Sequence, residues 1–186
     1  MPQQLQGKKI AILVANGFEQ VEMTKPRQAF DEKGAQTHLV SPQSDTVRGW
    51  NHYDKADEFP VDVSLDKANP EDYDALLLPG GTVNPDQLRT NKTAVQFIKS
   101  FVDAGKPIAA ICHGPWTLVE VDAVRGRKVT SWSSLQTDLK NAGADWVDEE
   151  VVVDGNIVTS RNPDDIPAFI DKATELFASS KSVQPA

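Results

Sequence analysis

The sequence predicts a three-layer α/β sandwich with a mainly parallel, flavodoxin-like sheet and one sharp strand-to-helix corner. Three observations carry this. Short apolar runs suited to strands buried on both faces recur at Lys9–Ala15 (KIAILVA), Ala75–Leu78 (ALLL) and Ile108–Ile111 (IAAI). Segments with helical spacing separate them, the alternation expected of βαβ units. Each run ends in small or polar residues, Asn16-Gly17-Phe18, Pro79-Gly80-Gly81 and Cys112-His113-Gly114-Pro115, which suits loops at the carboxyl edge of such a sheet.

Taken in order, Lys9–Ala15 is a first strand and Asn16-Gly17-Phe18 a turn. Glu19–Lys33 is a helix that Gly34 closes as its C-cap. Thr37–Ser41 is a second strand. The polar, turn-rich stretch from Thr46 to Val63 is expected as a small hairpin at the sheet edge. A helical turn at Asn69–Tyr73 leads into strand Ala75–Leu78. Thr93–Ala104 is an amphipathic helix closed by Gly105, and Ile108–Ile111 the strand before the corner. A helix follows from about Pro115 to Val121, then a strand at Lys128–Ser131 and a helix at Leu135–Ala142 capped by Gly143. Val151–Thr159 reads as a hairpin turning at Asp154-Gly155-Asn156. A last helix starts at Asn162-Pro163-Asp164-Asp165 and runs to about Phe177, with 179–186 as a frayed tail. No repeat or linker interrupts this order, so residues 1–186 form a single domain with its core at about 9–177.

Composition narrows the function classes. A net charge of −8 argues against nucleic acid as a partner. No run of about 18 apolar residues is present to cross a membrane, and the start of the chain lacks the apolar core of a secretory signal. Cys112 is the only cysteine, so no internal disulfide forms. His38, His52 and His113 show no metal-ligand spacing. The expectation is a cytoplasmic protein without metal or cofactor.

Cys112 sits where a buried strand turns sharply into a helix, with Gly114 for the turn and Pro115 for the helix start. A sulfur held against the amide dipoles there is expected to have a lowered pKa and to act as a nucleophile; a serine at such a corner is the nucleophile of many hydrolases. Gly80 and Gly81 can bring backbone N–H groups to the sulfur and, with that of His113, form an oxyanion hole. Glu19 is a candidate acid. Buried beside a thiolate it would keep its proton and donate to the sulfur, although an acidic residue also suits the first turn of a helix. No histidine follows residue 113, which excludes the Cys–His–Glu triad of glutamine amidotransferases, whose histidine lies well after the nucleophile. His113 is left as the base or proton carrier, while His38 and His52 read as structural. Trp116 and Trp132 are aromatic residues placed to rim a pocket.

At this point the chain resembles the PfpI-type intracellular protease family, part of the wider group that contains the Parkinsonism-associated protein deglycase and has the class I glutamine amidotransferase-like fold. The resemblance runs from about Lys9 to Phe177. It rests on motifs such as Ala15–Glu22 (ANGFEQVE), Leu78–Gly81 (LPGG), Ala110–Pro115 (AICHGP), Arg125–Ser131 (RGRKVTS) and Thr159–Asp165 (TSRNPDD).

The resemblance implies Cys112 as nucleophile, His113 as its partner, Glu19 as the acid touching the sulfur, and Gly81 and His113 as oxyanion-binding amides. It further implies that Asp86, after a Gly-Gly loop one residue longer than usual, reaches across a subunit interface to orient the histidine. A homodimer or larger homo-oligomer would then be the working unit. Where the deglycase branch has a histidine after the corner helix, this chain has Trp132, which leaves the chemistry to His113. The implied activity is a cysteine-dependent, stress-protective hydrolase or glyoxalase-like enzyme. Its substrates would be small aldehydes, methylglyoxal-modified proteins or peptides, with peptidase action included. The alternative is a redox-sensing or chaperone-like protein whose cysteine is oxidised to sulfinic acid.

Overall fold

The computed structural model describes residues 4–181; the expected tail therefore lies outside the described residues from residue 182 onward. The strands are β1 (Lys9–Leu13), β2 (Phe18–Glu19), β3 (Gln36–Ser41), β4 (Thr46–Asn51), β5 (Asp54–Pro60), β6 (Val63–Ser64), β7 (Ala75–Leu78), β8 (Ile108–Ile111), β9 (Lys128–Val129), β10 (Asp145–Trp146), β11 (Val151–Asp154) and β12 (Ile157–Ser160). The helices are α1 (Gln20–Glu32), α2 (Val83–Thr90), α3 (Lys92–Asp103), α4 (Trp116–Glu120), α5 (Gln136–Asn141) and α6 (Ile166–Ser179).

The main sheet has the order β11-β12-β8-β7-β1-β3-β6. Every pairing is parallel except β11 with β12. Its strands alternate cleanly between two cores. Ala11, Leu13, Leu76, Leu78, Ile108 and Ala110 face α3, α4 and α5, meeting Phe97, Phe101, Leu118 and Leu139. Ile10, Ile12, Leu77, Ala109 and Ile111 face α1 and α6, meeting Met23, Phe30, Phe169 and Phe177. This is the expected three-layer sandwich. Both faces are covered, which is why β7 and β8 read as unbroken apolar runs.

Two features depart from the sequence reading. The hairpin β4–β5 does not extend the edge of the main sheet; β4 pairs in parallel with β2 to form a separate three-stranded sheet. Helix α2 occupies a stretch between the Gly-Gly loop and the helix at Thr93 for which the sequence predicts no element. Asn84 is fully buried and explains why the segment is fixed. Its Oδ1 accepts the Ala15 N–H at 2.7 Å, and its Nδ2 donates to the carbonyls of Pro79 and Gly80 at 3.1 and 3.0 Å. One side chain thus joins the loops that follow β1 and β7. With β8 beside β7, the three loops flagged in the sequence meet at one rim.

Among the described residues no helix is long and apolar enough to cross a membrane.

Candidate active site

Cys112 follows β8 with a φ of 62°, in the left-handed region that L-residues other than glycine rarely occupy. The chain around it enforces this corner. The Cys112 N–H donates to the Ser160 carbonyl at 3.0 Å, and its carbonyl accepts from the Trp132 N–H at 2.9 Å. The Gly114 N–H closes back on Ile111 at 2.8 Å. A Cβ on Gly114 would stand 2.4 Å from the Leu78 carbonyl oxygen, so only glycine fits there. Strain of this kind is concentrated where a side chain must be presented rather than packed.

The sulfur looks into a pocket of about 230 Å³ bordered by Glu19, Glu22, His52, Tyr53, Gly81, His113 and Trp132. His113 Nδ1 lies 3.2 Å from Sγ. The imidazole stacks on Trp132 with ring centroids 6.0 Å apart and meets the edge of Trp116 at 6.2 Å. Trp116 is held in turn by the Arg89 guanidinium 4.7 Å over its ring and by a bond from its indole N–H to Asp138 at 3.1 Å. The two tryptophans therefore fix the plane of the base, but only Trp132 rims the pocket; Trp116, expected there as well, packs behind the imidazole.

The backbone N–H groups of Gly81 and His113 act on the sulfur and favour its charged form. Gly80 does not share in it. Its N–H donates to Glu22 Oε1 at 3.0 Å, so the expected contribution of Gly80 to the oxyanion hole is replaced by a structural one. Gly81 has a φ of 77°, and a Cβ there would lie 2.4 Å from the Gly17 carbonyl oxygen. The close approach of these two loops demands glycine.

The acid at the sulfur is Glu22, not Glu19. Helix α1 begins at Gln20, and Glu22, Pro26 and Phe30 form a buried stripe at i, i+4 and i+8. The Glu22 carboxyl is carried under the Gly-Gly loop and faces Cys112. Glu19 precedes the helix as a residue of β2, paired with Trp50. Its carboxylate turns to the hairpin, accepting the His52 N–H at 3.1 Å and standing 3.6 Å from His52 Nδ1. A carboxylate on the apolar stripe of an amphipathic helix was the signal available in the sequence for Glu22.

Burial, reinforced by the nearby Glu19 charge, raises the pKa of Glu22 well above its ordinary value against the opposing Gly80 and Cys112 hydrogen bonds, which favours the protonated carboxyl. Its Oε2 is buried without a hydrogen-bond partner, which leaves that proton free to be offered to Cys112. Burial also pushes the Cys112 thiol up, followed by any negative charge on Glu22, while the Gly81 and His113 amides pull it down. The corner alone therefore does not lower the thiol pKa as the sequence suggests. The amides of Gly114, Trp116 and Thr117 are spent on turn bonds, and only two N–H groups remain for the sulfur. A protonated Glu22 removes the repulsion and adds a third donor. Burial lowers the His113 pKa, so its imidazole is neutral and able to accept a proton.

Asp86 is exposed on α2, and among the described residues no hydrogen bond joins it to His113. No group of three or more His, Cys, Asp or Glu side chains among the described residues is placed to hold a metal ion.

The model of the DJ-1/PfpI family matches residues 8–176. The chain belongs to the DJ-1/PfpI family. Among its relatives, General stress protein 18 of Bacillus subtilis is 48% identical over 173 residues, covering 92% of this chain and 98% of that protein. Protein/nucleic acid deglycase 2 of Escherichia coli is 45% identical over 174 residues, covering 91% and 98%. The crystal structure of Drosophila melanogaster DJ-1beta superposes with a TM-score of 0.84 at 26% identity, covering 92% of this chain and 90% of that one. The DJ-1/PfpI assignment agrees with the resemblance carried by the motifs around Cys112 and the Gly-Gly loop.

Proposed function

We propose that this protein is a cysteine-dependent, stress-protective hydrolase that removes methylglyoxal-type adducts from protein side chains and acts on small reactive aldehydes. The observation that carries this reading is the placement of one sulfur at a strained corner, 3.2 Å from a neutral imidazole and faced by two backbone N–H groups. The names of the Escherichia coli and Bacillus subtilis relatives, a deglycase and a stress protein, support it. The pocket of about 230 Å³ suits a small adduct better than several residues of extended peptide.

In the proposed step, Sγ bonds to the electrophilic carbon and the carbonyl electron pair moves onto oxygen, which the Gly81 and His113 N–H groups hold. The thiol proton passes to His113 Nδ1 and then to the leaving amine as the C–N bond breaks. Water then cleaves the S–C bond, one of its protons restoring the thiol and its hydroxyl remaining with the carbon. With a hemiaminal the same displacement leaves a hemithioacetal on sulfur and a free amine. Throughout, the Glu22 proton serves as a donor to the sulfur. Asp86 is proposed to orient the histidine of a second copy, which would make a homodimer the minimum working unit.

The exclusion of nucleic acid rested on net charge, a criterion for tight phosphate binding. It does not bear on transient action at a modified base, so glycated nucleotides belong among the substrates to be assayed. Replacement of Cys112 by Ala is expected to abolish release of the free guanidinium and thiol groups from methylglyoxal-treated arginine and cysteine peptides. Retained turnover in that variant would end the proposal.

A second reading has its own support in the unpartnered, buried Glu22 Oε2. Two equivalents of hydrogen peroxide would oxidise the sulfur to sulfinic acid, each being reduced to water, and the Glu22 proton would bond a sulfinate oxygen. The test is mass spectrometry after mild peroxide. Selective dioxidation of Cys112 that fails in Glu22→Leu supports this sensor role, and its absence in the parent protein removes it.

A further inference from the structure

The tip of the β4–β5 hairpin is a wall of the candidate site, although the sequence marks its histidine as structural. Three large apolar residues stand exposed among the described residues, Tyr53, Trp132 and Val153. Two of them, Tyr53 and Trp132, border the Cys112 pocket. Trp132 is 41% exposed and already stacked on His113, whereas Tyr53 is 94% exposed. An aromatic ring left open beside a nucleophile is a surface awaiting a ligand.

The hairpin tip is also tied down. His52 has a φ of 56°, the left-handed conformation, which points its N–H at the Glu19 carboxylate with distances of 3.1 and 3.4 Å to the two oxygens. Glu19 itself is buried and fixed, since β2 pairs with β4 and the Glu19 N–H donates to the Gly80 carbonyl at 3.3 Å. Glu19 thus links the Gly-Gly loop, through its backbone N–H, to the residue that precedes Tyr53, through its carboxylate.

We infer that Glu19 is a positioning residue that pins the hairpin tip through His52, so that Tyr53 receives a planar or aromatic group carried beside the reacting carbonyl. This rests on the hydrolase reading for its substrate, and it narrows that substrate to adducts with a flat, π-faced neighbour, such as the guanidinium-derived ring of a modified arginine or an adjacent aromatic side chain. The recognition needs only the Glu19 carboxylate accepting a backbone N–H, so it does not depend on the protonation of the His52 ring.

The test separates this inference from the enzymatic reading by using alkylation of Cys112, which requires no turnover. Rates with iodoacetamide and with N-benzyl iodoacetamide are measured on the full-length protein, each relative to glutathione. Their ratio cancels changes in thiolate fraction, including any caused by removing the Glu19 charge. The parent is expected to favour the benzyl reagent by about threefold to tenfold, the range given by one aromatic contact. Tyr53→Phe should keep the preference, and Tyr53→Ala should lose it. Glu19→Ala should lose it as well, while Glu19→Gln, which can still accept the His52 N–H, retains most of it. Tyr53 is on the surface, so its variants leave the fold intact. A ratio unchanged in Tyr53→Ala overturns the inference. So does dissociation of an oligomer by Tyr53→Ala in gel filtration, since Tyr53 would then face a second copy rather than a substrate.

Discussion

The carboxyl of Glu22 is packed against Cys112 beneath the Gly-Gly loop. A Cβ placed on Gly80 would lie 2.7 Å from both the Cys112 Cβ and Glu22 Oε1. Gly80 is therefore required by crowding, and its N–H takes one carboxyl oxygen while the other remains for the sulfur. The candidate chemistry depends on this contact, because a proton on Glu22 converts a repelling charge into a donor.

The first consequence concerns thiol reactivity. Glu22→Gln keeps a neutral donor beside the sulfur, whereas Glu22→Leu removes it. Alkylation of Cys112 by iodoacetamide at neutral pH should therefore fall in the order parent, Gln variant, Leu variant. A Leu variant as reactive as the parent would show that the carboxyl has no hold on the sulfur.

Stability should carry the same signature. The unfolded chain releases the Glu22 proton near pH 4.3, whereas the folded state retains it well above that value. Between the two pKa values the native state binds more protons than the unfolded one. The Glu22 contribution is thus fully present below the unfolded pKa and declines by up to about 1.4 kcal/mol per pH unit as the pH rises. Glu22→Gln removes this slope. The difference in melting temperature between the Gln variant and the parent should grow from pH 4 toward alkaline pH, as followed by circular dichroism. A constant difference would mean an ordinary carboxyl.

His113 should titrate low. Its ring is desolvated, so its charged form is disfavoured. The imidazole resonances of His113, assigned by loss in His113→Gln, are expected to titrate below the ordinary value of 6.5. The acid limb of activity should follow the same midpoint. Titration at or above 6.5 would contradict a neutral proton acceptor held between Trp116 and Trp132.

The corner itself can be tested with two substitutions that both remove the sulfur. At a φ of 62° an alanine has the same backbone strain as cysteine, whereas glycine has almost none. Cys112→Gly should be more stable than Cys112→Ala by about 1 kcal/mol in urea unfolding, the reverse of the order at an ordinary position. If Ala were the more stable, the corner would not be strained.

The fold was legible where burial writes itself into local sequence. Ala75–Leu78 and Ile108–Ile111 are apolar without interruption, the first ending at Pro79 and the second starting after Pro107, and both strands have those bounds. Long-range pairing was not legible. Nothing within 46–63 announces that β4 pairs with Phe18–Glu19 rather than with the main sheet, and nothing in the polar run at 82–90 announces a buried Asn84. The nucleophile and its neighbouring histidine were readable because the corner is encoded by adjacent residues. The acid was not, because Glu19 and Glu22 lie close together at the junction of β2 and α1. What separates them is a strand pairing that turns Glu19 to His52 and a helical stripe that carries Glu22 inward.

The most direct measurement is a carbon-13 titration of the Glu22 carboxyl in glutamate-labelled protein, with the resonance assigned by its absence in Glu22→Gln. The account predicts a carboxyl that stays protonated through neutral pH. A resonance that titrates near 4.3, the usual glutamate value, would contradict it.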